Sequence, residues 1–133
     1  MAEKILTVDD DPDILDALTM ILESKGYQVV TARDGAEGLA KVETEKPDLI
    51  ILDLLMPKMD GFAVYKKLQE PKYAKYKDIP ILILTSVREE ASRRRYELET
   101  GKELRVDDYI EKPFSPDSLL RRVEKIIKKK QEG

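Results

Sequence analysis

The sequence has no cysteine, no histidine and no tryptophan, and only two phenylalanines. Without Cys and His there is no disulfide framework, no Cys/His zinc site, no thiol nucleophile and no histidine-based triad. Any chemistry must run on carboxylates, hydroxyls and lysines. An excess of charge is missing too. The 24 basic and 27 acidic residues leave a net −3, which gives no electrostatic case for a general nucleic-acid binder. There is no signal peptide and no apolar run of membrane-spanning length, so a cytoplasmic protein is expected. At 133 residues the chain is one domain long.

What is present is a strand-helix alternation repeated five times. Lys4 to Val8 is β-branched and apolar, and runs into Asp9-Asp10-Asp11-Pro12, where Asp11 and Pro12 form an N-cap and first-turn pair. Ile14, Leu15, Leu18, Ile21 and Leu22 recur at helical spacing, and Gly26 suits the end of that helix. Tyr27 to Ala32 reads as a second strand. Asp34 with Glu37 marks the next helix, which runs to about Glu45. Leu49 to Leu52 is a run buried on both faces that ends on Asp53. Asp60-Gly61 opens a third helix through Phe62, Tyr65 and Leu68, stopped by Pro71, and Lys72 to Asp78 reads as a loop. Ile81 to Leu84 ends on Thr85-Ser86. A polar helix from about Glu89 to Thr100 closes at Gly101. Val106 to Ile110 ends in Glu111-Lys112-Pro113-Phe114, and Ser115-Pro116 opens the last helix.

Five such units predict a single doubly wound α/β domain, with a parallel five-stranded sheet of order 2-1-3-4-5 and helices on both faces. That order sets strands 1 and 3 side by side at the point where the connections part and leave a crevice. The carboxyl ends of the strands then bring together Asp9 and Asp10, Asp53, Thr85 and Lys112. Three carboxylates in one crevice repel each other unless a cation joins them or their pKa values rise. Oxygen-only ligands favour a hard ion such as Mg²⁺. An ammonium and a hydroxyl add donors for phosphoryl oxygens, so the set describes a phosphoryl acceptor that would form an aspartyl-phosphate on Asp53. Singly, each piece has a plainer explanation: a solvated cap for Asp9 to Asp11, a β-branched strand end for Thr85, a surface turn for Lys112-Pro113. Their coincidence at one edge is harder to obtain by chance.

In combination and order, Val8-Asp9-Asp10-Asp11-Pro12, Leu52-Asp53-Leu54-Leu55-Met56-Pro57 with Asp60-Gly61, Leu84-Thr85-Ser86 and Asp108-Tyr109-Ile110-Glu111-Lys112-Pro113-Phe114 are highly specific. With them the chain resembles, over nearly its whole length, the receiver domain of two-component response regulators, a flavodoxin-like (CheY-like) fold. The resemblance implies that Asp53 is the phosphoacceptor, fed by a sensor histidine kinase or phosphotransfer protein. It implies that Asp10 ligates Mg²⁺ directly, Asp9 more through water, and the Leu55 carbonyl alongside Asp53. Lys112 would contact the phosphoryl group, with a cis bond to Pro113, and Thr85 and Tyr109 would act as the switch pair. The surface of the fourth helix, fifth strand and last helix would then be read by a downstream protein, as a monomer or a phosphorylation-induced dimer. The missing histidine fits, since the donor phosphohistidine would sit on another protein.

There are departures from the family pattern. Thr85 and Lys112 stand 27 positions apart, further than is usual, with the extra length near Lys102 to Val106. Leu55 and Val87, each two past a site residue, are apolar and cannot orient an attacking water, which implies slow self-dephosphorylation. An aspartate-nucleophile phosphatase would need an acid where Leu55 stands, so a phosphoacceptor module that assists its own phosphorylation is expected rather than an enzyme. A receiver-like module that is never phosphorylated usually lacks one of the acids or the lysine, and here none is missing. Arg93-Arg94-Arg95 and the basic tail from Arg121 to Lys130 read as solvated faces or protein docking sites, with nucleic acid disfavoured. The expectation for organisation is one receiver domain over residues 1–133 with no output domain.

Overall fold

The computed structural model describes residues 3–56, 59–85, 94, 95, 97, 98 and 106–132. Five strands, β1 (Lys4–Val8), β2 (Gln28–Ala32), β3 (Leu49–Asp53), β4 (Ile81–Thr85) and β5 (Asp108–Glu111), form one sheet of order β2-β1-β3-β4-β5. Every pairing is parallel. Both β3 and β4 are buried at all five positions, as uninterrupted apolar runs must be when helices cover both faces. The order is the one expected from the sequence.

Because successive strand residues point to opposite faces, the apolar run divides into two cores. Leu6, Val8, Ile50, Leu52 and Ile83 pack under α2 (Gly35–Glu45) and α3 (Gly61–Leu68). Ile5, Leu49, Ile51, Leu82 and Leu84 pack under α1 (Pro12–Glu23) and the C-terminal helix (Pro116–Glu132). Burial of each such side chain contributes about 1.5–3 kcal/mol. At the far rim of the sheet the last turn of the C-terminal helix is tied down. Lys130 Nζ lies 3.3 Å from Asp48 Oδ1, and Gln131 Nε2 donates to Glu3 Oε1 at 2.6 Å.

The helices start where the sequence places their caps. Asp11 accepts from Asp13 N–H at 2.9 Å, Asp34 from Glu37 N–H at 2.8 Å, and Asp60 from Ala63 N–H at 2.9 Å. Ser115 Oγ accepts from Ser118 N–H at 3.1 Å. The Glu37 carboxylate returns to accept from Arg33 N–H, so two orphan donors are satisfied by one pair of side chains. These caps stand on the loops that leave the carboxyl ends of the strands, so they also fix the crevice rim.

Two local expectations are corrected, at Lys72 and at the start of β5. The stretch read as a loop from Lys72 holds a 3₁₀ helix, Pro71–Tyr76, which turns the buried Tyr73 into the core. Helix α1 is closed by Gly26 as expected: the glycine stands at φ 86°, its N–H donates to the Glu23 carbonyl at 3.0 Å, and Tyr27 N–H donates to the Leu22 carbonyl at 3.3 Å. Strand β5 begins at Asp108 because Asp107 closes the ladder differently: its N–H donates to Ile81 O and its carboxylate accepts from Ile81 N–H. Of the helix expected over 89–100, only Arg94, Arg95, Glu97 and Leu98 are described, all with helical backbone. Pro57, Lys58, Ser86, Val87, Arg93, Gly101 and the extra residues 102–105 lie outside the described residues.

Candidate functional site

The sheet brings four of the expected groups to one edge. Asp9 follows β1, Asp53 ends β3, Thr85 ends β4, and Lys112 follows β5. Adjacent register does the placing: Asp53 pairs with Leu84, Thr85 with Glu111, and Lys112 N–H donates to the Thr85 carbonyl at 2.7 Å. The lysine is therefore carried beside the end of β4 by a backbone bond. The Lys112–Pro113 peptide is cis.

Lys112 Nζ stands 3.1 Å from Asp53 Oδ1 and 3.2 Å from Asp9 Oδ2. Asp9 and Asp53 are almost fully buried, at 1% and 2% exposure, whereas Asp10 is exposed. Carboxylate oxygens of Asp9, Asp10 and Asp53 all lie within 4.8 Å of one another. Burial pushes the Asp9 carboxyl up to about 6. The Asp11 N–H, donated to Asp9 Oδ1 at 2.9 Å, opposes this, the Asp53 charge adds to it, and Lys112 opposes it. Asp9 Oδ2 is buried without an aligned hydrogen bond, although it is within ion-pair distance of Lys112.

These features fit a hard divalent cation. An oxygen without a hydrogen bond, in a cluster of three acids with no softer ligand, offers what such an ion takes up, and one ammonium does not neutralise three carboxylates. The exposed Asp10 leaves the open side on which phosphate oxygens and water would enter. Thr85 is buried at 6% exposure at the same edge, and Leu55 is half-buried just past Asp53. Tyr109 is half-buried in β5 and packs against the α2/α3 core, two residues before the strand ends at Glu111. The sequence reading missed the Asp11 N–H as the group that orients Asp9. Its signal was present in the Asp-Asp-Asp-Pro run, where a capping residue two positions on presents a free helix-start amide.

The family model described as the response regulator receiver domain matches residues 5–124. The alkaline phosphatase synthesis transcriptional regulatory protein PhoP of Bacillus subtilis is 46% identical over 131 residues, covering 98% of this chain and 51% of that protein. The DNA-binding dual master transcriptional regulator RpaA of Synechocystis is 38% identical, covering 95% of this chain and 49% of that protein. The chain thus spans about half the length of the curated relatives it matches. Among solved structures, the Vibrio cholerae chemotaxis protein CheY4 superposes with TM-score 0.79 at 32% identity, covering 95% of this chain and 99% of that one. The receiver domain of a signal transduction histidine kinase from Syntrophus aciditrophicus gives 0.80 at 34% identity, covering 96% and 91%. With family match, fold and acidic crevice in agreement, the chain belongs to the response regulator receiver domains of two-component signalling.

Proposed function

We propose that this receiver domain takes a phosphoryl group on Asp53 from the phosphohistidine of a partner kinase or phosphotransfer protein, with Mg²⁺ held by Asp9, Asp10, Asp53 and the Leu55 carbonyl. The observation that carries the proposal is the bridging position of Lys112, 3.1 Å from Asp53 and 3.2 Å from Asp9 in a crevice of three acids. In the transfer an Asp53 carboxylate oxygen attacks phosphorus. An O–P bond forms as the N–P bond breaks, the bonding pair returns to the ring nitrogen, and a ring proton leaves the imidazole neutral. Asp53 is placed by the end of β3 and stripped of water by burial, so the acceptor is held in one geometry. Lys112 gives the arriving phosphoryl oxygens a fixed positive partner, and the Thr85 hydroxyl adds a donor at the next strand end. A bound Mg²⁺ would neutralise charge that gathers on those oxygens.

The readout we propose is a two-state repacking of Thr85 and Tyr109, which alters the face of the fourth helix, β5 and the C-terminal helix for a downstream protein. Tyr109 supports this reading because it is half-buried in β5, itself part of that face, and pairs with Ile83 two residues before Thr85. Leu55 offers no hydrogen bond to an attacking water, which favours slow loss of the phosphoryl group. We place the domain in the cytoplasm. Among the described residues no helix is long and apolar enough to cross a membrane. A protein partner is favoured over nucleic acid by the net charge of −3.

The test is intact mass after incubation with Mg²⁺ and a small acyl-phosphate donor. A single phosphoryl adduct is expected on the native protein, and none on Asp53→Ala or without Mg²⁺. Absence of the adduct with both that donor and a kinase-delivered phosphoryl group would overturn the proposal.

A further inference from the structure

Gly61, the first residue of α3, lies against the main chain of the phosphoacceptor itself. A Cβ on Gly61 would sit 2.4 Å from the Asp53 carbonyl oxygen, 2.8 Å from Leu54 Cα and 3.1 Å from the Asp53 carbonyl carbon. All three are backbone atoms, so no change of rotamer relieves the overlap. Neither partner yields easily. Asp53 is held in register with Leu84 and by its ion pair with Lys112. Helix α3 is held by its buried Phe62, Val64, Tyr65 and Leu68 and by the Asp60 cap. The two are joined directly, because Gly61 N–H donates to the Leu54 carbonyl at 2.9 Å.

From this close approach we infer that Gly61 is a positioning residue for Asp53. The bare Cα at 61 lets α3 seat on the Asp53–Leu54 peptide, and that contact sets where the Asp53 carboxylate stands relative to Asp9, Asp10 and Lys112. The inference rests on Asp53 being the phosphoacceptor and adds to that assignment what aims it. Any side chain at 61 must move either the Asp53 backbone or the start of α3. A displacement of about 1 Å at a reacting group is enough to slow transfer on the order of 10²-fold.

Gly35 supplies the control. A Cβ there would meet the Met59 carbonyl oxygen at 2.6 Å and the side-chain atoms Val64 Cγ2 at 2.7 Å and Met59 Cγ at 2.8 Å, an overlap at comparable distances against the same helix and its leading loop. It does not touch Asp53. A purely structural role for Gly61 would therefore make Gly61→Ala and Gly35→Ala behave alike.

The experiment compares the native protein, Gly61→Ala and Gly35→Ala in three measurements. These are the urea midpoint, Mg²⁺ affinity by calorimetry, and the rate of phosphoryl incorporation from a small acyl-phosphate at saturating Mg²⁺, corrected for the folded fraction. Both variants are expected to lose stability. Only Gly61→Ala should also lose on the order of 10²-fold in rate and about tenfold or more in Mg²⁺ affinity. A Gly61→Ala protein within about twofold of native in both, or a Gly35→Ala protein that falls as far, overturns the inference. If Gly61→Ala does not fold, amide hydrogen exchange of the native protein decides. Linkage requires that saturating Mg²⁺ slow exchange at Gly61 N–H, and an unchanged rate overturns the inference. A native protein that takes no phosphoryl group is a separate result, which removes the phosphoacceptor assignment itself.

Discussion

The environment of Asp9 works against its own charge. Its carboxyl is raised from 3.8 to about 6 because burial removes the water that would solvate it. The folded state therefore holds the Asp9 proton more tightly than the unfolded state does. The stability this gives is fully present below pH 3.8 and is lost as pH rises through about 6. A shift of this size corresponds to roughly 3 kcal/mol. In chelator-containing buffer, Asp9→Asn should therefore gain on the native protein by up to about 3 kcal/mol between pH 4 and pH 7.5. Urea unfolding of both proteins across that range checks it, and parallel pH curves would show that Asp9 is not the group responsible. Mg²⁺ reverses the sign, since the ion requires the ionised form and its apparent affinity should fall as pH drops below about 6.

At the scale of elements, the helix starts are separable contributions. Asp34→Ala removes the acceptor for Glu37 N–H and should cost about 1 kcal/mol in thermal or urea unfolding, without changing phosphoryl incorporation. Elements that announce themselves by local chemistry were legible in the sequence. Asp11-Pro12, Asp34 with Glu37, and Asp60-Gly61 each mark a helix start, and the Leu49–Asp53 run marks a strand buried on both faces. The 3₁₀ helix at Pro71–Tyr76 was not legible, because its reason is the burial of Tyr73, a tertiary contact that short-range turn chemistry does not display. The start of β5 was misplaced for a similar cause: the Asp107 side chain bonds Ile81, which lies 26 positions back. At the site, strand order made the membership legible. The unbonded Asp9 oxygen and the close seat of Gly61 on Asp53 depend on distances that spacing cannot give.

For the molecule as a whole, β3 is the common wall of both cores. Leu49 and Ile51 belong to the face under α1 and the C-terminal helix, while Ile50 and Leu52 belong to the face under α2 and α3. Ile51, fully buried in the middle of the sheet, should therefore be costly to truncate. Ile51→Ala is expected to lower the unfolding free energy by about 2–5 kcal/mol, and denaturant titration monitored by far-UV circular dichroism measures it. A loss under about 1 kcal/mol would mean that the core collapses around the gap more readily than a two-layer wall allows.

The tie between Gln131 and Glu3 has a consequence for how the domain can be carried. Glu3 and Gln131 meet on the rim opposite the acidic crevice, with Lys130 and Asp48 alongside. A short flexible splice from Gln131 to Glu3 would therefore close the stretch between them into a loop. The domain can accordingly be grafted into a surface loop of a host protein through a single narrow neck. It can equally be reopened at the exposed turn around Gly26 and rejoined at the old ends, with the crevice left facing outward and intact.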